Sequence, residues 1–187
     1  IVRDPLTPQD QALGYTGGRV TTLYTGFINV AGKKLTAYDF QADYEWRTGS
    51  LGQFRATLLA TFQPELATQP VANSVFFETI GYNAGLKWRG NAGLDWRRGR
   101  WSAAWVMQYY DSYFGYSPTA TATQVNTFIL NQGTAKIPSQ HYHDLSVAYS
   151  FGAQSEGWRR FFSHTRVTAG VQNVFNTSPP ILASTFA

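Results

Sequence analysis

The chain has no cysteine, few charged residues and no long hydrophobic run. Without cysteine it forms neither a disulfide scaffold nor a cysteine-ligated metal site. No stretch approaches the ~20 consecutive apolar residues of a membrane helix, which argues against a helical membrane protein. The net charge is only +4, and many arginines lie beside short connections, so we expect no nucleic-acid partner. What is abundant is aromatic side chains, at 16% against 14% charged residues.

The first residue is Ile1, and nothing near it resembles a signal peptide. We therefore expect a mature chain, a truncated chain or a piece of a longer one. With 187 residues it has room for one domain.

The clearest pattern is a predicted hairpin from Lys87 to Tyr110 with a two-residue turn at Arg98-Gly99. Successive strand residues point to opposite sides, and on both strands one face is apolar and the other mostly polar. The expected aromatic pairs are Trp96 with Trp101 at the turn end and Trp88 with Tyr109 at the far end. Eight residues tilted by ~40° span roughly 20 Å, close to the ~25 Å apolar band of an outer-membrane barrel.

A second predicted hairpin has the same eight-residue aromatic spacing. Pairing about a turn at 47–53 sets Trp46 opposite Phe54, Tyr38 opposite Phe62 and, on the polar side, Glu45 opposite Arg55. The segment from Arg19 to Trp46 is interpreted as one long strand bent near Gly32; the alternative is two strands turning at Gly32-Lys33-Lys34.

Connections alternate in length along the chain. Further strands are predicted at His143 to Phe151 and Thr165 to Phe175. Long loops are predicted at 1–18, 64–83 and 111–140, and shorter connections at 47–53, 98–99 and 152–164. This asymmetry is typical of outer-membrane barrels and predicts that the Arg98-Gly99 turn is periplasmic while 71–75 and 119–125 are extracellular. The fold class is therefore all-β: an antiparallel transmembrane barrel fragment of about six strands, too few to close alone.

Few residues suggest catalysis or metal binding. The densest group is Ser139, His141, His143 and Asp144, but two histidines do not make a metal site, and adjacency does not provide the geometry of a catalytic triad. The carboxylates Asp39, Asp43 and Glu45 fit a solvated barrel wall better than Ca²⁺ binding or acid–base work. We expect no enzyme activity, no metal and no cofactor.

Aromatic residues in the predicted long loops are the candidates for ligand binding. They are Phe76, Phe77, Tyr113, Phe114 and Tyr116. Such rings stack on a sugar or a siderophore, or pack within the loops or the aromatic girdle.

The segment Ala169 to Pro180, AGVQNVFNTSPP, resembles the G-V-x-N-L-F-(N/D)-x-x-P-P signature of TonB-dependent outer-membrane receptors. Further similarity to that family lies in Ile137-Pro138-Ser139, His143-Asp144-Leu145, Tyr149-Ser150-Phe151 and Ala37-Tyr38-Asp39-Phe40-Gln41, where alanine replaces the family's glycine. Together these segments cover nearly the whole chain.

The resemblance implies a barrel of about 22 strands plugged by an N-terminal domain, which imports a scarce nutrient with energy relayed by TonB. Residues 1–187 then form part of the barrel domain, with the plug and final strand elsewhere. Implied partners are outer-membrane lipid, the protein's own plug, the TonB complex and a small-molecule or oligosaccharide ligand, and the implied location is the bacterial outer membrane. A passive porin and, less favoured, a soluble β-sandwich binding module are the alternatives.

Overall fold

A computed structural model describes residues 1–23, 32–71, 73–83, 85–152 and 157–183, apart from the side chains at 158 and 159. The chain divides into two units, Ile1–Ala31 and Gly32–Ala187, which are described separately.

The first unit contains two short strands and a short helix. Strand β1 (Val2–Arg3) pairs antiparallel with β2 (Val20–Thr22), and helix α1 spans Pro8–Ala12. Thr7 caps this helix: its hydroxyl accepts from the Asp10 amide, and the Asp10 carboxylate accepts from the Thr7 amide at 3.0 Å. The Thr7 hydroxyl also donates to the Asp10 carboxylate at 2.6 Å, and this bond, followed by the one from the Thr7 amide, holds the pKa of Asp10 below its ordinary value. The prediction of a loop over 1–18 is therefore wrong for these elements.

The second unit is built on one antiparallel sheet. Its strands are β3 (Gly32–Thr48), β4 (Gly52–Gln69), β5 (Phe77–Glu78), β6 (Trp88–Arg98), β7 (Trp101–Tyr110), β8 (Tyr113–Phe114), β9 (Lys136–Ile137), β10 (Gln140–Ser150) and β11 (Arg166–Val171), with helix α2 at Ala122–Gln132 and a 3₁₀ helix at Gly157–Phe162. The six long strands run in the order β11-β10-β7-β6-β4-β3, β5 adds to β4, and β8 pairs with β9. The predicted all-β antiparallel architecture of about six strands is confirmed.

The register of β3 with β4 matches the prediction at every expected pair: Tyr38 with Phe62, Glu45 with Arg55, and Trp46 with Phe54. Both strands extend into the expected turn at 47–53, which leaves only residues 49–51 between them. At the start of β4, Gly52 has φ +101° and lies under the Arg97 carbonyl, where a Cβ would clash.

The β6–β7 register differs from the prediction by two residues. Arg98 pairs with Trp101, so the turn is Gly99-Arg100 rather than Arg98-Gly99, and Trp96 faces Ala103. Gly99 has φ +59°, which suits the first central position of a tight hairpin turn. The shift is even, and each residue therefore keeps its predicted face.

A β-bulge carries β4 through Pro64, which the sequence analysis placed at the start of a loop. Between the pairs Thr36–Glu65 and Tyr38–Phe62, Ala37 of β3 faces two residues of β4. Proline has no amide hydrogen to donate, and a bulge is one of the few places where a sheet accepts it. The strand thus runs to Gln69, and the predicted 64–83 loop is shorter than expected.

The start of β3 bears on the two interpretations of Arg19 to Trp46. Gly32-Lys33-Lys34 lies within β3 and pairs with β4, so the alternative turn there is wrong. The bent strand preferred in the sequence analysis falls partly on residues 24–31, which lie outside the described residues.

The predicted loop at 111–140 contains β8, α2 and β9. Thr121 caps α2 through a reciprocal pair of bonds with Gln124, and Gly133 ends it with φ +78°. Phe128 on this helix and Ile137 on β9 are buried. None of the described helices has the length and apolar character needed to cross a membrane.

The last two long strands have different bounds from those predicted. Strand β10 begins at Gln140 and β11 ends at Val171 rather than Phe175. The 152–164 connection contains the 3₁₀ helix, and its residues 153–156 fall outside the described part of the chain.

Candidate functional site

The apolar face of the sheet has an aromatic margin at each end. At the short-turn end the rings of Trp46 and Phe54 stack at 5.1 Å, and at the long-loop end those of Phe62 and Trp88 stack at 4.4 Å. The eight-residue spacing recurs on five strands, in the pairs Tyr38/Trp46, Phe54/Phe62, Trp88/Trp96, Trp101/Tyr109 and His141/Tyr149. The fifth pair was missed because its upper member is a histidine.

Between the margins the side chains are mainly small or aliphatic and many are exposed. Leu58, Leu145, Val147, Val167 and Val171 are all exposed. In the described residues the buried apolar side chains are only Ala67, Phe128, Ile137 and Ala148. A sheet with so little protein core needs an apolar medium against this face.

One polar pair lies within the apolar face. Trp105 Nε1 donates to His143 Nδ1 at 3.1 Å, and the two rings stack at 5.7 Å. Phe175 packs edge-on against His143 at 5.0 Å. The bond satisfies both polar groups where water is scarce, and it requires the imidazole proton to be on Nε2.

The polar face carries most of its charge on β3, β4 and β6. Arg55 bonds Asp43 at 2.7 Å and approaches Glu45 at 3.7 Å, and Thr61 donates to Asp39 at 2.7 Å. The residues facing this way on β7, β10 and β11 are smaller, for example Ser102, Ala104, Ser146, Ala148 and Gly170. Most of the charge of this face is therefore concentrated on one half, and the other half has smaller and less polar side chains.

A hollow of about 500 Å³ lies against the charged half. Its polar lining is Asp39, Gln41, Thr61, Arg89, Asn91 and Tyr110. These side chains offer hydrogen-bond donors and acceptors to a group that enters the hollow.

The predicted polar group of Ser139, His141, His143 and Asp144 contains side chains that are bonded within the sheet. The ring centroids of His141 and His143 are 5.8 Å apart, but His143 Nδ1 is bonded to Trp105, and Asp144 accepts from the Asn173 amide at 2.8 Å. No group of three metal-binding side chains occurs among the residues that the structure describes.

Two of the predicted ligand-binding aromatics belong to a packed loop cluster. Phe114 stacks on Tyr82 at 5.1 Å, and Tyr116 contacts Phe114 and Phe128, each at 5.5 Å. The amide of Phe114 donates to Gly81, which ties two connections together. None of these rings is freely exposed.

The other three predicted aromatics lie in separate places. Phe76 lies beneath Lys34, Phe77 is in β5 opposite Thr68, and Tyr113 is in β8 opposite Ile137. The five residues therefore do not form a single group, and their role in ligand binding stays a prediction.

The loop cluster also holds the segment that follows β11. The Gln132 side chain donates to the Ile181 carbonyl at 2.8 Å and accepts from the Ala183 amide at 2.6 Å. One amide thus joins α2 to residues 181–183, a contact that no local sequence pattern indicates.

The signature segment completes β11 with Ala169–Val171 and then forms a compact turn. The Asn173 side chain bonds the Thr177 carbonyl and amide, both at 2.9 Å, and Asn173 and Asn176 have positive φ. The Val174 amide donates to the His143 carbonyl at 2.8 Å. The motif therefore ends β11, and the turn that follows is bonded to β10. This explains why β11 stops short of Phe175.

These features define the class of protein. A single antiparallel sheet with an apolar face, two aromatic margins, a hydrophilic opposite face and connections of unequal length is a wall section of a transmembrane β-barrel. Its edges, β3 and β11, are not paired with each other in the described part of the chain, so the barrel is not closed.

The family follows from a direct comparison. A family model described as TonB dependent receptor-like, beta-barrel matches residues 1–174. The chain belongs to this family, whose members are outer-membrane receptors and transporters of Gram-negative bacteria. No curated protein and no solved structure matches the chain. The family is not an enzyme family, and it implies association with the outer membrane, a plug domain and the TonB system.

Proposed function

We propose that residues 1–187 form part of the barrel of a receptor that imports a scarce nutrient, such as a siderophore or a carbohydrate, by TonB-dependent active transport. The parent protein also contains an N-terminal plug and a final barrel strand. The observation that carries the proposal is the family match over residues 1–174, on a sheet whose two faces suit lipid and a hydrophilic interior.

In this proposal the hydrophilic face lines the barrel lumen and contacts the plug. Its ion pair of Asp43 with Arg55 and its lining of Asp39, Arg89 and Asn91 favour a hydrated interface over a dry core. Such an interface lets a plug rearrange without exposing apolar surface.

The packed loop cluster supports an extracellular ligand-binding role for this end of the sheet. Its inner aromatics, Phe114 and Tyr116, hold the loops together, whereas Phe76, Phe77 and Tyr113 lie outside that ring cluster. We expect Phe76→Ala or Tyr113→Ala to weaken ligand binding without loss of folding, and Phe128→Ala, a buried control, to loosen the loops.

The deciding experiment is uptake by the complete receptor in cells with and without TonB. Ligand accumulation that requires TonB supports the proposal. Accumulation that is unchanged in the absence of TonB identifies a passive porin and overturns it.

Orientation is tested separately on whole cells. With Ser74→Cys or Thr121→Cys in the complete receptor, an impermeant thiol reagent should label intact cells. Labelling only after lysis would place the long loops in the periplasm, contrary to the proposal.

A further inference from the structure

Two rows of side chains cross the hydrophilic face near its long-loop end. The first row runs over β3, β4, β6 and β7 in direct register and consists of Asp39, Thr61, Arg89 and Tyr110. The second row lies two residues closer to the short turns and consists of Gln41, Leu59, Asn91 and Gln108. All of these except Gln108 line the hollow of about 500 Å³ on this face. That volume lies in the range of small-molecule sites, ~300–1,000 Å³.

The hollow lies at the mouth of the barrel wall. Thr61 and Arg89 are paired, and each adjoins a member of the aromatic margin at the long-loop end. Arg89 is the second residue of β6 and Tyr110 is the last residue of β7, so these two strands stop directly above the first row. A molecule that arrives from the long-loop side therefore meets the hollow before it meets the rest of β6 and β7.

Much of the hydrogen-bonding capacity of the hollow is unused. Among the described residues, no hydrogen bond or ion pair involves the side chain of Arg89 or that of Asn91, and both side chains are exposed. Asp39 accepts a bond from Thr61 at 2.7 Å, which leaves further acceptor positions open on its carboxylate. A guanidinium offers several N–H donors, and an amide offers both donors and an acceptor. The hollow can therefore bond to a ligand in both directions.

The charges that line the hollow cancel. Its ionised lining residues, in the part of the chain that the structure describes, are Asp39 and Arg89. Lys87 lies two residues above Arg89 but does not line the hollow, and its Nζ lies 5.8 Å from the centre of the Phe62 ring. An anionic ligand would be attracted by Arg89 and repelled by Asp39, so the lining favours a neutral one.

The hollow also presents apolar surface. Leu59 is 49% exposed and Tyr110 is 40% exposed, although both face the hydrophilic side. A tyrosine combines an apolar ring with a polar hydroxyl group. A sugar has a matching composition, because C–H surfaces lie between its hydroxyl groups and each hydroxyl group both donates and accepts.

We propose that this hollow binds a sugar unit of a neutral oligosaccharide. Arg89, Asn91 and Asp39 bond to its hydroxyl groups. Tyr110 and Leu59 contact its C–H surface. Of a carbohydrate and an anionic siderophore, the hollow therefore selects the carbohydrate. This inference rests on the proposed receptor function, because the hollow faces a barrel interior only in the complete receptor.

The test uses the complete receptor, purified in detergent and applied to an array of neutral, sialylated and sulfated glycans. A ferric tris-catecholate is measured in parallel by calorimetry. We expect the receptor to bind neutral glycans in preference to all of the anionic probes. Arg89→Met/Asn91→Ala should bind the neutral glycans about tenfold more weakly, because it removes two hydrogen-bonding groups from the hollow.

The matched control is Gln53→Ala/Arg97→Met. It also removes one amide and one guanidinium from the hydrophilic face, but from a directly paired position near the short turns. It should bind like the parent, and thermal melts should show that both double variants are folded. Four results would overturn the proposal: equal losses in the two double variants, unchanged binding in Arg89→Met/Asn91→Ala, tighter binding of an anionic probe, or a parent receptor that binds no neutral glycan.

Uptake in cells separates this inference from the proposed transport mechanism, because binding to the purified receptor does not require TonB. Neutral-glycan binding without TonB-dependent uptake would support the hollow and overturn the transport mechanism. TonB-dependent uptake of an anionic ligand that is unchanged in Arg89→Met/Asn91→Ala would overturn the sugar site and leave the mechanism in place.

Discussion

The two faces of the sheet are built from the same strands but are held together by different interactions. On the apolar face, neighbouring strands touch through rings, as Trp46 does with Phe54 and Phe62 with Trp88. On the hydrophilic face they touch through hydrogen bonds and an ion pair, as Asp43 does with Arg55. The difference teaches that the surrounding medium, rather than a second protein layer, decides which side chains each face accepts.

The largest expected effect comes from placing both faces of the sheet in water. Residues 1–187 expressed alone place the rings of the apolar face and two open sheet edges in water, and unpaired edges and apolar patches promote aggregation. We expect inclusion bodies and no refolding to a monomeric barrel in detergent, measured by circular dichroism and light scattering.

The complete receptor is the control and should refold in detergent. A monodisperse, soluble β-protein of 20.9 kDa without detergent would contradict the membrane assignment of the apolar face.

The next effect compares one substitution on the two faces of β6. Leu94 lies two residues from the midpoint between Trp88 and Trp96, so Leu94→Arg should cost about 2 kcal/mol of unfolding free energy, within the range for a lipid-facing arginine. Asn91→Arg, on the hydrophilic face, should cost much less. The measurement is a folding titration of the complete barrel in lipid vesicles, and equal costs would show that the faces are wrongly assigned.

A smaller effect compares two tryptophan bonds at different heights on the apolar face. Trp105→Phe leaves His143 Nδ1 without its donor inside the apolar band and should cost about 1 kcal/mol. Trp96 donates to the Leu51 carbonyl at 2.7 Å near the short turn, where water can replace the lost bond. Trp96→Phe should therefore cost less in the same titration, and the reverse order would place Trp105 at a wetter level than Trp96.

The smallest effect is expected on the hydrophilic face. Arg55→Gln removes the ion pair with Asp43, but both side chains are well exposed and such pairs contribute little. The unfolding midpoint of the complete receptor should stay unchanged within error, at low and at high salt. A marked loss of stability would show that this part of the face is covered and dry.

Sequence reasoning succeeded where a period of two residues was reinforced by a second signal. The β3–β4 register was predicted correctly because the aromatic spacing and the Glu45–Arg55 charges agree on one pairing. The β6–β7 register was wrong because the turn was placed at Arg98-Gly99, whereas Arg98 pairs with Trp101 and the turn is Gly99-Arg100. Strand β7 contains no charged residue that could select one register, as Glu45 and Arg55 do for β3 and β4.

Structure within the loops was missed although local signals were present. Thr7-Pro8 followed by Asp10, and Thr121 followed by Gln124, are capping patterns for α1 and α2. Both lie in polar segments interpreted as irregular. Contacts such as Gln132 with residues 181–183 depend on how distant segments meet, and no local pattern contains that information.

The bulge at Gln63 and Pro64 has a consequence for how such a receptor diversifies. Below it, an insertion of one residue would exchange the lipid and lumen sides of the whole strand. The bulge shifts the alternation of side chains along β4 at the membrane boundary. Above it Glu65 pairs with Thr36, and below it Phe62 pairs with Tyr38. We therefore expect a chimera that takes residues 65–78 from another receptor to keep the strand register of the barrel below the bulge.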